Sequence, residues 1–482
     1  MTLSNYQIQT IDLDYIAINI NDANYTGVAA AVTNRKTVIF GQQLLGSLYP
    51  VGNIASSLVN QQNLLVAQTD NDSTNITGVG PTAVFYKSRA NPSQSLIRAN
   101  FSLLENTPQS TAWQQSLNQT NRSSPVQVGT STNWSRVACG YYHTAAIQSP
   151  SLYVWGLNSY GNLGQNNLTN RSSPLQVLWS NTWTNIYVGY QITIGIQSPG
   201  TLWAWGLSNY GQLGLNTVTP QLLPSKIGQL NNWTSISMYS DGYSVLGIQS
   251  PGTLWAWGNN SFGQLGLGDQ TNRSIPVQVG ALSLWTTVSV GGGYTVAIQS
   301  PGTLWTWGTN GSGQLGTSNT TNYSSPVQVG AINYWTQVAC GYAHTVAIQS
   351  PGTLWAWGYN AYGQMGNNTL TNYSSPVQIG ALNTWTQIAA GQYHTVALLS
   401  NGTLWTWGNN ISGQLGTSNQ TFRSSPVQVG ALNTWSQISA AGFGSTAAIQ
   451  SPGTLWMWGI NNYGQLGLGQ YPATVNKPIY GL

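Results

Sequence analysis

At 482 residues the chain exceeds what one ordinary hydrophobic core supports, so it must hold two domains or an architecture that grows by repetition. Only 4% of its residues are charged, against about a quarter in typical soluble domains, so its solubility must come from amides and hydroxyls. Past position 113 the only cations are Arg122, Arg136, Arg171, Lys226, Arg273, Arg423 and Lys477, beside Asp241 and Asp269, too thin a set to neutralise a phosphate backbone; nucleic acid is not an expected partner.

The first hundred residues share no motif with the rest. Residues 6–20, 36–40, 83–86 and 95–103 have the composition of strands, broken by Gly, Asn, Pro and Asp, and residues 54–66 suit a short helix. A small β-rich domain over residues 1–105 is expected, followed by a polar linker over 106–121. Asp12 and Asp14 precede the first basic residue, Arg35, which is the wrong polarity for a secretory leader. No apolar run approaches the roughly 20 residues of a membrane span, so insertion in a membrane is not expected. An extracellular life would then require release by lysis or assembly into a particle.

From residue 122 onward the chain repeats itself. Gly-Thr-Leu-Trp-x-Trp-Gly recurs with its second tryptophan at Trp205, Trp257, Trp307, Trp357, Trp407 and Trp458, and a variant first copy ends in Trp155. The intervals are 50, 52, 50, 50, 50 and 51 residues, and a short Asn-rich turn then leads to Gly-Gln-Leu-Gly, as at residues 211–214. In one unit, residues 224–227, 233–238, 243–249 and 254–257 form four short β-segments between Gly, Pro and Asn turns. Residues two apart on a strand share a face, so Trp255 and Trp257 point one way and Leu254, Ala256 and Gly258 the other. A four-stranded sheet cannot hide two apolar faces alone. Neighbouring sheets must stack, and closing the stack into a ring removes the need for caps. The expected fold is all-β: a seven-bladed β-propeller over residues 122–482, preceded by the small β-rich domain, with the six tryptophans as its repeating core.

Both chain ends are expected to share the closing blade. If a blade runs from the Trp-Gly strand to the His-Thr strand, the last one holds residues 455–459 and 478–482 and borrows 134–140 and 143–148 from the start of the propeller. Residues 125–128 then compete with 478–482 for one slot.

Leu-Trp-x-Trp-Gly, Gly-Gln-Leu-Gly, Ser-Ser-Pro-Val-Gln-Val and Cys-Gly-Tyr-x-His-Thr together resemble the regulator of chromosome condensation repeat, over about three quarters of the chain. Kelch propellers have a similar period but a different glycine doublet. The resemblance implies a binding scaffold: members of this family act as exchange factors for a small GTPase, as chromatin binders and as bacterial inhibitors of β-lactamase. The exchange-factor role fits poorly with so few acidic residues and such similar blades. Near-identical, Asn- and Thr-rich repeats are also similar to virion-associated proteins of tailed phages. The expected function is therefore a non-enzymatic virion accessory protein, with residues 1–105 docking on other virion proteins. The propeller would be exposed for adhesion to a host-surface glycan or protein, with self-association on the particle expected. The alternative is a secreted or surface-bound bacterial adhesin or protein inhibitor.

No catalytic, metal or cofactor site is expected. His143, His344 and His394 occupy one repeat position, filled elsewhere by Gln191, Ser244 and Tyr294, and equivalent points around a ring cannot all meet at one metal. With two acidic residues in the propeller, a carboxylate pair for acid and base work is excluded. Cys139 and Cys340 sit at the same repeat point on distant blades, too far apart for a disulfide, and are expected as small buried hydrophobes. Gly291, Gly292 and Gly293 lack the Lys-Ser or Lys-Thr of a phosphate loop and suit a tight turn. Asn-x-Ser/Thr sequons at Asn121, Asn170, Asn272, Asn322 and Asn372 are expected products of composition and duplication.

What varies between blades marks a candidate binding rim: Arg122, Arg171, Arg273 and Arg423, with Tyr323 and Tyr373, ahead of each Ser-Pro segment, since Arg and Tyr are frequent contact residues. A second set is Tyr160, Tyr210, Phe262, Tyr362 and Tyr463, before the Gly-Gln-Leu-Gly turns. Rim residues covering strand ends would carry the same pattern.

Overall fold

The computed structural model describes residues 121–469, apart from 178–181, 240–242 and 443, together with four short strands nearer the N-terminus. The chain forms two compact units, Met1–Asn118 and Gln119–Leu482. In the first, Arg35–Phe40 pairs antiparallel with Leu65–Asp70, and Val84–Tyr86 with Arg98–Asn100. Leu65 and Val66, expected at the end of a helix, are in a strand instead. In the register of that pair Leu65 stands opposite Phe40 and Val66 opposite Ile39. Residues 6–20, 54–64 and 470–482 lie outside the described residues.

The second unit is a seven-bladed propeller of seven four-stranded antiparallel sheets, and no helix occurs among its described residues. The fourth blade shows the pattern. Its inner strand Trp285–Val290 pairs with Tyr294–Gln299, which pairs with Thr303–Gly308, which pairs with the outer strand Tyr323–Asn333. Each inner strand begins with a tryptophan of the set Trp134, Trp183, Trp233, Trp285, Trp335, Trp385 and Trp435.

Alternation assigns the faces as expected. Leu254 and Ala256 of the third blade pack against Trp285 and Trp307 of the fourth, while Trp257 of the third packs on Ile194, Leu202 and Ala204 of the second. Trp155, Trp205, Trp257, Trp307, Trp357, Trp407 and Trp458 are all fully buried. Each indole N–H donates to a backbone carbonyl in the Gly-Gln-Leu-Gly turn of the preceding blade, as from Trp357 to Gln314 at 2.9 Å and from Trp307 to Gln264 at 2.8 Å. In six of the seven blades a threonine of the second strand donates to that same oxygen, as from Thr345 to Gln314 at 2.8 Å. The turn's last glycine must lie flat on the indole: Gly316 has φ +74°, and a Cβ there would meet Trp357 Nε1 at 2.8 Å. Beyond the turn, a backbone N–H of each blade donates to the outer strand of the next, as from Ser318 to Ser374 at 2.8 Å.

Asparagine replaces charge in holding these loops. The buried Asn310 side chain accepts from Leu315 N–H at 2.9 Å and donates to Asn319 O at 3.0 Å, and its own N–H is capped by Asn322 at 2.7 Å. The sequon residues Asn121, Asn170, Asn272 and Asn372 make the same cap in other blades, which gives them a structural role.

The closing blade departs from expectation. Blades run from the inner Trp strand to the outer Pro strand, so Trp134–Cys139 and His143–Gln148 belong to the first blade with Ser151–Gly156 and Arg171–Gln176. The seventh takes three strands from the C-terminal side, Trp435–Ala440, Ser445–Gln450 and Thr454–Gly459, and one from the N-terminal side, Arg122–Gln127. The contested slot therefore goes to the segment containing Pro125. Val128 N–H donates to Leu455 O at 2.8 Å, and Trp155 Nε1 donates to Gln465 O at 2.8 Å across the junction.

Two outcomes are expected. Starting the chain at residue 129 should lower the melting temperature well below that of a chain starting at 119, as read by differential scanning calorimetry. Gly316→Ala should cost roughly 1–3 kcal/mol from backbone strain alone, read in urea unfolding.

Candidate binding surface

The antiparallel order brings to one face of the ring the loop between inner and second strands and, in the first six blades, the long loop between third and outer strands, whose place in the seventh is taken by residues 460–469. The inner strands end at this face around a cavity of about 190 Å³, to which Cys139, Val188, Met238, Val290, Cys340, Ala390 and Ala440 each contribute from a different blade. Both thiols are buried and free, and burial pushes each up to about 12, so they remain protonated and inert.

Tyrosines from the two kinds of loop meet on this face. Tyr142 of the first blade packs against Tyr463 of the seventh at 5.0 Å and Tyr190 of the second at 5.6 Å. Tyr141 touches Tyr142 at 4.5 Å and Tyr190 at 5.5 Å. Tyr243 of the third blade then meets Tyr190 at 5.3 Å and Tyr210 at 4.7 Å. Six tyrosines thus form an arc over four blades. A shorter cluster joins Tyr342, Tyr359, Tyr362, Tyr393 and Phe422 over the fifth and sixth. Between them the fourth blade has Gly291, Gly292 and Gly293, a tight turn in which Gly293 N–H donates to Gly291 O at 2.8 Å. The rings are half-buried or exposed, and each pair is worth about 0.5–1.5 kcal/mol beyond burial, which holds them in place before any partner arrives. Burial raises the Tyr142 phenol above its usual range, and Tyr190 and Tyr463 add to the effect, so that phenol stays uncharged.

Residues 253–480 match the RCC1-like domain, and residues 151–196 and 199–239 match the regulator of chromosome condensation (RCC1) repeat. The chain carries regulator of chromosome condensation repeats. No curated protein is similar enough in sequence to count as a relative. Among solved structures, human WBSCR16 is 20% identical with a TM-score of 0.60, over 70% of this chain and 89% of that one. Prp20p from Saccharomyces cerevisiae, described with its binding to Gsp1p and histones, is 18% identical with a TM-score of 0.59, over 72% and 94%. Yeast RCC1 (Prp20) bound to Kap60 is 19% identical with a TM-score of 0.58, over 68% and 80%. These similarities establish a shared fold.

In this RCC1-type propeller the candidate rim residues stand at separate stations. Arg122, Arg171, Arg273, Tyr323, Tyr373 and Arg423 each begin an outer strand, opposite the glycine of Trp-x-Trp-Gly, one per blade and half-buried. Arg273 pairs with Asp269 at 2.6 Å, and Tyr323 and Tyr373 pack on the inter-blade cores. Of the second set, Tyr210, Tyr362 and Tyr463 join the aromatic clusters, and Tyr160 and Phe262 are exposed on the same loops. The inner-loop tyrosines Tyr141, Tyr142, Tyr190, Tyr243, Tyr342 and Tyr393 were not singled out by sequence. Their signal was a tyrosine one or two residues before the second strand in five of seven units.

The histidines begin second strands and are fully buried. Their counterparts are Ile192, Ser244, Tyr294 and Ser445; Gln191 falls one residue earlier, because Ile192 pairs with Gly206 as His143 does with Gly156. Nε2 lies 2.8 Å from Thr193 Oγ1 for His143, 3.2 Å from Thr395 for His344 and 3.0 Å from Thr446 for His394. Those hydroxyls already donate to carbonyls, so the imidazole N–H must be the donor, and each Nδ1 has no partner. Burial lowers His143 and His344 to about 3 and His394 to about 4, with His394 also disfavouring charge on His344. Among the described residues no three His, Cys, Asp or Glu groups gather where a metal could bind.

Because the folded values lie below the unfolded one, the unfolded chain takes up the protons. Stability is whole above about pH 6.5 and falls with pH below it, by up to about 1.4 kcal/mol per unit for each histidine. Urea unfolding at pH 7.5 and pH 5 should differ by roughly 6 kcal/mol from the three together. The triple variant His143→Ser, His344→Ser, His394→Ser should lose most of that difference.

Proposed function

We propose that this protein is a non-enzymatic binding protein whose propeller recognises its partner through the tyrosine-lined loop face. The observation that carries the proposal is the arc itself: six phenols, prepacked across four blades on the face where the inner strands end, with no acidic or basic side chain among them. Tyrosine offers a large rigid ring and one polar tip, and it is enriched where binding energy concentrates. The buried neutral histidines and the scarcity of carboxylates favour recognition over catalysis. Solved propellers of similar fold have protein partners: Gsp1p and histones for one, Kap60 for another.

The same proposal makes the protein an accessory of a phage particle, with residues 1–105 docking on the virion and the propeller facing outward. Its support is the nearly uncharged, amide-rich composition and the near-identity of the repeats. The protein should band with intact particles in a density gradient and stay with them through a salt wash. Recovery only from host cytosol, or free of particles in the medium, would overturn this placement. Particles carrying Tyr142→Ser and Tyr190→Ser should adsorb to host cells at least tenfold more weakly, with the propeller still folded although its melting temperature falls; each such contact at a binding centre is worth about 2 kcal/mol or more.

A further inference from the structure

A second feature lies away from the tyrosine arc. Between the fifth and sixth blades a groove of about 590 Å³ opens on the circumference, inside the roughly 300–1,000 Å³ range of small-ligand sites. Its apolar walls are Trp405, Trp385, Tyr373 and Leu382, its polar rim includes Thr369, Gln378 and Ser425, and none of its lining residues is charged.

The walls are fixed before any ligand arrives. Trp405 is half-buried, and its Nε1 donates to Thr403 Oγ1 at 3.0 Å, which sets the plane of the indole. Trp385 stands at 78° to it, 6.2 Å away, and is 4% exposed. A substitution within the repeat distinguishes this groove from its neighbour. In the fourth blade Asn319 reaches across to donate to the Tyr323 hydroxyl at 3.2 Å and to Thr317 O at 3.2 Å. In the fifth blade the counterparts are Asn367 and Thr369. The shorter Thr369 turns its hydroxyl to Asn367 Oδ1 at 2.9 Å, and the Tyr373 hydroxyl has no hydrogen-bond partner among the described residues.

We propose that this groove binds one or two uncharged pyranose residues of a glycan. The C–H face of a pyranose is apolar and flat enough to lie on Trp405, while its hydroxyls need neutral donors and acceptors at the edge, which Tyr373, Gln378 and Ser425 supply. A phosphate or carboxylate ligand would find no cation to pair with. The groove is independent of the tyrosine arc.

The test is saturation-transfer NMR followed by calorimetry on the full chain with maltotriose, lactose and N-acetylglucosamine trimer, and with choline as a rival ligand for an aromatic pocket. At least one of the three sugars should bind. Thr369→Asn, which restores the residue that the fourth and sixth blades carry, should weaken that sugar at least tenfold without loss of fold, and Trp405→Ala should abolish it. Tyr142→Ser with Tyr190→Ser should leave sugar binding unchanged, so failure here is separable from failure of the loop-face proposal. No transfer from any of the three sugars, binding of choline alone, or sugar binding indifferent to Thr369→Asn would overturn the inference.

Discussion

One backbone oxygen per blade organises the propeller. The carbonyl that precedes leucine in each Gly-Gln-Leu-Gly turn, or its Asn162 equivalent, accepts the indole N–H of the next blade's tryptophan and, in six blades, a threonine hydroxyl as well. A buried indole without a partner would carry a desolvation cost, so this contact ties the largest apolar side chain of one sheet to the position of a loop from another. Everything near it is constrained in turn: the glycine that must lie flat on the ring, the asparagine that caps the loop, and the strict period that keeps donor and acceptor in register. Where Val245 replaces threonine in the third blade, Gln212 keeps the tryptophan alone, and the blade still closes on its neighbour.

The sparse charge follows from the same economy of contacts. Loops that in other proteins are held by ion pairs are held here by amides: Asn158, Asn260, Asn310, Asn360, Asn410 and Asn461 each accept from the N–H of the residue five places on, just before the last glycine of the turn. Amide caps are insensitive to salt and titrate nowhere, in contrast to surface ion pairs. The buried imidazoles do titrate, and their protonation in acid is coupled to unfolding.

The number of blades, the strands within them and the burial of the repeat tryptophans were legible in the sequence, because one period controls them all. The phase of the blade was not. A closed ring looks the same from any starting strand, and only the pairing of Gly459 with Arg122 shows that the seam runs three strands to one. Gln191 was displaced by one residue because the loops before the second strand carry no motif strong enough to fix their register. The tyrosine arc escaped for a different reason: Tyr142 and Tyr463 are neighbours only because the ring brings its ends together. The groove at Thr369 depends on the absence of one side chain, and an absence has no motif.

The three-to-one seam also orders events in time. Arg122–Gln127 leaves the ribosome before any strand of the sheet it completes, and its partner Thr454–Gly459 is made more than 300 residues later. Until then one edge has no neighbour and the first blade's tryptophan face has nothing to cover it. Such long-range pairing slows folding and leaves an exposed strand that other chains can capture, so crowding of nascent copies is the hazard this topology must survive.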